Sequence, residues 1–104
     1  MEDYRVDFEK IPWESPAPGA RFKAFSKGDR QLRLVEFEKE FVEPDWCTRG
    51  HVGYVLEGRM EIDFNGRKVS FTAGDGLYIP PGDAHKHKAK VISERVRLIL
   101  VEDI

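Results

Sequence analysis

Gly74-Asp75-Gly76-Leu77-Tyr78-Ile79-Pro80-Pro81-Gly82-Asp83-Ala84-His85 is the stretch that decides the fold. Gly74-Asp75-Gly76 signals a turn, because glycine accepts positive φ at little steric cost. Leu77-Tyr78-Ile79 is a short apolar run of β-favouring residues. Pro80 and Pro81 cannot donate to a ladder, so they end it. Gly82-Asp83 turns the chain again, and the alternating run His85-Lys86-His87-Lys88-Ala89-Lys90-Val91 follows. Successive side chains of a strand point to opposite faces, which puts His85, His87, Ala89 and Val91 together and Lys86, Lys88 and Lys90 opposite them. Three lysines belong in water, so both histidines are expected to point inward.

The same rhythm recurs outward from this stretch. Upstream, His51 to Glu57 is strongly β, Gly58 breaks the parity, and Met60, Ile62 and Phe64 then alternate with Arg59, Glu61 and Asp63. Asn65-Gly66 is a strong hairpin signal of type I′, with Val69 and Phe71 on the returning strand. Gln31 to Val42 is the longest strand candidate, with Val35, Phe37 and Phe41 on one face. Its glutamates allow a helix, but the spacing of two favours the strand. Leu32 and Leu34 have the opposite parity, which predicts a bulge or change of sheet near Leu34. Downstream, Val96, Leu98 and Leu100 form the closing strand. Residues 1–19 hold three of the six prolines and read as an extended arm, with a short edge strand around Tyr4 to Phe8 and Trp13 as its anchor. Residues 20–104 read as a single barrel domain. Many short strands joined by Gly and Pro turns, with no convincing helix, indicate an all-β sandwich or barrel.

Composition narrows the function. A chain of 104 residues suits one core. A formal net charge of -2 provides no basic field for nucleic acid, and the lysines at 86, 88 and 90 read as a solvated strand face. The one cysteine, Cys47, excludes an intrachain disulfide and fits a reducing compartment. The acidic start Met1-Glu2-Asp3-Tyr4 leads into no apolar run, so neither a signal peptide nor a membrane span is expected, and the location expected is cytoplasmic. There is no Walker loop, dinucleotide fingerprint or serine triad order.

The run from Gly74 through Pro80 and Gly82 to His85 has the form G-x5-P-x-G-x2-H. In this it resembles the second motif of the cupin family. The first cupin motif reads H-x-H, three or four residues, E, six residues, G. Counting back from Gly58 sets His51 on the glutamate position, with Cys47 and Asp45 on the two histidine positions. The resemblance spans about Asp45 to His85. It implies the double-stranded β-helix, a jelly-roll barrel, and a divalent transition metal in its mouth.

On that resemblance His51, His85, Cys47 and Asp45 are the expected metal ligands. The donor types suit zinc, iron, nickel, copper or manganese without separating them. His87, Val55 and Tyr78 are expected beside a small polar ligand, with His87 a hydrogen-bonded pocket group. Trp46, by alternation with Asp45 and Cys47, should point away from them. The family implies dioxygenase, isomerase or epimerase chemistry, or a metal-free sensory module that binds a sugar or metabolite. Alternation also puts Val52, Tyr54 and Leu56 on the face away from the cavity. A patch of that kind needs a cover, and a homodimer is expected to supply it in preference to the N-terminal arm.

Overall fold

The computed structural model describes residues 4–104. Nine strands form two antiparallel sheets. They are β1 (Glu14–Ala17), β2 (Ala20–Lys27), β3 (Arg30–Glu38), β4 (His51–Glu57), β5 (Arg59–Asp63), β6 (Lys68–Thr72), β7 (Gly76–Ile79), β8 (Lys88–Val91) and β9 (Arg95–Asp103). The larger sheet has the order β1-β2-β3-β9-β4-β7 and the smaller β6-β5-β8. Among the described residues, helix is confined to two single 3-10 turns, at Phe8–Lys10 and Asp83–His85. Among the described residues no helix is long and apolar enough to cross a membrane. This is the jelly-roll architecture expected of the sequence.

The core lies between the sheets, where inward residues of both interdigitate. Val35 and Val55 pair on either side of Leu98, and Met60 pairs with Val91. All five are buried. Gly58 explains the change of parity after β4. It takes φ +84°, and a Cβ there would meet the Arg95 carbonyl oxygen at 1.8 Å, so the chain can cross from the large sheet to the small one only with glycine at this point. Asn65 and Gly66 both have positive φ, as a type I′ hairpin requires.

Two expectations about β3 are corrected. The strand stops at Glu38, and the Phe41 amide bonds back to the Glu38 carbonyl in a turn. Phe41 still reaches the core and stacks on Phe37 with centroids 4.4 Å apart. No bulge occurs at Leu34, since the β2–β3 and β3–β9 registers run unbroken. Leu32 and Leu34 simply lie on the outer face, opposite Val101 and Ile99. Period-two reasoning wrongly assumed that this face must be polar.

The outer face also carries a charge ladder. Glu36 lies opposite both Arg21 and Arg97, accepts two hydrogen bonds from Arg21 at 2.9 and 2.8 Å, and pairs with Arg97. Burial alone would raise its pKa, but the two guanidiniums outweigh that and hold it low. The arm packs at this end. Trp13 lies against Arg21 and Lys23 of β2, and Lys23 donates to the Phe8 carbonyl oxygen. Residues 14–17 join the sheet as β1, whereas Tyr4 to Phe8 form no strand. The arm therefore does not cover β4. Val52, Tyr54 and Leu56 remain 46%, 47% and 47% exposed.

Candidate metal centre and cavity

Three segments supply the site. His51 opens β4, facing inward next to the end of β9. Cys47 lies on the loop between β3 and β4, which runs beside β8 through bridges from Val42 to Lys90 and from Cys47 to His87. The second bridge is reciprocal: the Cys47 amide donates to the His87 carbonyl at 2.9 Å and the His87 amide returns a bond at 3.0 Å. Thus Cys47, His51 and His87 converge, with one ligand atom from each lying within 4.8 Å of the others.

Both imidazoles are oriented from behind. The His87 Nδ1 lies 3.0 Å from the His85 carbonyl oxygen, which can only accept, so Nδ1 carries a proton and Nε2 faces the cluster. The His51 Nδ1 lies 2.5 Å from Glu102 Oε2, in an ion-pair contact not aligned as a hydrogen bond. Its Nε2 lies 3.7 Å from Cys47 Sγ. Glu102 is 2% exposed and also accepts from Arg33 Nε at 2.6 Å, Arg33 Nη2 at 2.7 Å and Gln31 Nε2 at 3.2 Å.

Electrostatics follow from these contacts. The hydrogen bonds of His51 and then His87 pull the Cys47 thiol down to about 5, against its burial. Burial works to lower the His51 pKa, yet Cys47 and Glu102 outweigh it and lift it to about 9. Burial would raise Glu102, but His51 and Arg33 hold it at about 2. His87 is raised by Cys47 and the His85 carbonyl in spite of burial. Glu43 is raised, chiefly by burial, with its carboxylate accepting the Ala89 amide at 3.0 Å. A thiolate beside two imidazoles whose far nitrogens are held by an acceptor is a donor set that fits zinc or iron.

The structure redistributes the residues expected here. Cys47 and His51 share the site, and His87 joins them as a third donor. His85 does not. The 3-10 turn Asp83–His85 uses up the residues assigned to the start of a strand, so the His85 side chain is exposed and only its carbonyl serves the site. Asp45 is exposed and outside the cluster. Val55 is fully buried in the core and does not line the cavity, and Tyr78 is 81% exposed on the far face of β7. Trp46 is 38% exposed, as a surface position would be, but it does not turn away from the cavity. It lines the cavity, with Lys88 and Lys86 against its ring at 4.6 and 5.3 Å, because residues 43–46 are irregular and do not alternate.

Arg33, Glu43 and Glu102 were missed. Arg33 and Glu102 did leave a signal: each has the inward parity of its strand, Arg33 with Val35 and Glu102 with Leu98 and Leu100. A charge on an apolar face marks a buried pair. Glu43, on a loop, left none. The cavity beside the cluster measures about 540 Å³ and is lined from both sheets.

Two antiparallel sheets with nitrogen and sulfur donors beside a cavity between them define a barrel of the jelly-roll class. The chain belongs to the Cupin domain family, whose model matches residues 33–102. No curated protein matches it in sequence. Solved structures do match its fold. KdgF from Halomonas sp. is 22% identical with a TM-score of 0.75, over 91% of this chain and 89% of that one. An RmlC-like cupin from Shewanella frigidimarina is 20% identical with a TM-score of 0.77, over 98% and 91%. The polyketide cyclase RemF from Streptomyces resistomycificus is 22% identical with a TM-score of 0.76, over 99% and 79%.

Proposed function

We propose that this protein binds a divalent transition metal through Cys47, His51 and His87 and acts on a small molecule held in the adjoining cavity, as a cytoplasmic homodimer. The observation that carries the metal reading is the convergence of three donors, two of them pre-oriented by Glu102 and the His85 carbonyl. Bound there, the metal supplies Lewis-acid polarisation of a substrate oxygen. The chain's own groups do the rest. Glu102, anchored by Arg33, sits against the His51 Nδ1 and leaves Nε2 toward Cys47, the Cys47–His87 bridge fixes the spacing of two donors, and much of the cavity lining is apolar. That combination favours a metal-dependent enzyme of the isomerase, epimerase or dioxygenase type.

The dimer reading rests on the outer face of β4. Val52 and Tyr54 lie opposite Val101 and Ile99 on β9, and Val52 lies opposite Tyr78 on β7, so the apolar surface spans three strands. A two-fold interface uses such a face twice.

The test of the metal reading is metal analysis of protein purified without a histidine tag, followed by cobalt substitution of stripped protein. Near-stoichiometric metal and a thiolate-to-cobalt charge-transfer band are expected. Protein that is metal-free as purified and takes up neither zinc nor cobalt would leave a metal-free binding module as the function.

A further inference from the structure

We infer, building on the metal-site reading above, that the cavity selects a flat, largely apolar molecule with a single anionic oxygen headgroup, and not a sugar-like polyol. Of the charged groups in the lining, three are already committed, while the Thr48 hydroxyl and the Arg49 guanidinium stand exposed. Arg33 is committed to Glu102, Glu43 accepts the Ala89 amide, and the Arg21 guanidinium turns outward to Glu36. Much of the remaining lining is hydrocarbon, including Phe22, Phe37, Met60, Ile62 and Leu98. A polyol carries a hydroxyl on nearly every carbon, and each one buried here without a partner is penalised. A flat ring has no such groups to satisfy. It also meets the Phe37–Phe41 pair, whose rings are stacked 4° from parallel.

The headgroup follows from charge. Glu102 is neutralised by its two-nitrogen ion pair with Arg33, so its charge does not repel an anion. At the rim stand Trp46, which carries Lys86 and Lys88 against its ring, and the exposed Arg49. In a chain of net charge -2 this is a local concentration of cations next to the opening. An anionic oxygen is thereby drawn to the rim beside Trp46 and Arg49, while the apolar body fills the rest of a volume suited to a drug-sized ligand.

The test is calorimetric titration of the zinc-treated full chain with 2-naphthoate, glucuronate and 2-naphthylmethanol. Naphthoate should bind at least about tenfold more tightly than either of the others, a margin of about 1.4 kcal/mol. Glucuronate binding as tightly as naphthoate overturns the apolar-body claim. Equal binding of naphthylmethanol overturns the anionic headgroup, and no saturable binding of naphthoate up to millimolar concentration overturns the whole inference. The series is repeated on protein treated with a chelator. Naphthoate preferred over glucuronate there upholds the substrate class even if metal analysis has refuted the metal, so the two failures are separable. Val35→Thr puts a hydroxyl into the wall at constant shape and should narrow the naphthoate-to-glucuronate ratio. The ligand series on the unaltered chain decides the matter if that variant does not fold.

Discussion

Replacing Glu102 with glutamine removes one charge from the most heavily bonded carboxylate next to the site. The side chain is fully enclosed and receives Arg33 through two nitrogens, Gln31 through one, and His51. Glutamine keeps the shape but presents an amide donor to groups that are themselves donors. The shift of the carboxyl from 4.5 to about 2 corresponds to about 3 kcal/mol of folding free energy. Removing one partner of a buried pair costs about 3–5 kcal/mol, in agreement. The folded pKa is depressed, so this stabilisation is present above the unfolded value near 4.5 and is lost as pH falls toward 2. Urea unfolding of chelator-treated protein is the assay. At pH 7 the midpoint of Glu102→Gln should fall by about 2 M if the slope is about 1.5 kcal/mol per molar. Near pH 3 the gap should shrink to about half. Equal midpoints at pH 7, or a gap that does not narrow on acidification, would refute the assignment of Glu102 as an ionised buried anchor.

Other tests address the remaining assignments. Cys47→Ser should abolish the cobalt charge-transfer band, His87→Ala should weaken cobalt uptake, and His85→Ala should leave both intact, because His85 serves only through its carbonyl; weakened uptake on His85→Ala would return His85 to the ligand set. Gly53→Ala should lower the melting temperature by about 10 °C or more, since the new Cβ would lie 2.1 Å from the Ile99 carbonyl oxygen; an unchanged melting curve would show that β4 and β9 can part at that point. Tyr54→Lys should convert a sedimenting dimer into a monomer at micromolar concentration, and a wild-type monomer would remove the dimer altogether.

The motif Gly74 to His85 and the alternation of β4, β5 and β9 made the barrel readable, because burial between two sheets enforces period two wherever strands are regular. Reading failed where the backbone was not extended. Alternation carried His85 inward, but Gly82 at φ 112° and the 3-10 turn after it set the phase of β8 from His87 onward. Alternation also put Trp46 away from the cavity, but residues 43–46 follow no strand geometry, and the exposed ring stands at the cavity rim. The outer face misled differently. Leu32, Leu34, Ile99 and Val101 make it apolar, so parity alone could not tell inside from outside, and a bulge was inferred that is not there. Arg33 and Glu102 were legible in principle, as charges with core parity.

The reciprocal bridge between Cys47 and His87 makes two of the three donors a single mechanical unit. If residues 42–50 detach, Cys47 leaves the cluster and His87 loses both backbone bonds that hold it there, so metal release becomes a local opening event in place of stepwise ligand exchange. The amides of Cys47 and His87 would then exchange with solvent deuterium at one shared rate, and loading the site with zinc would slow both by the same factor.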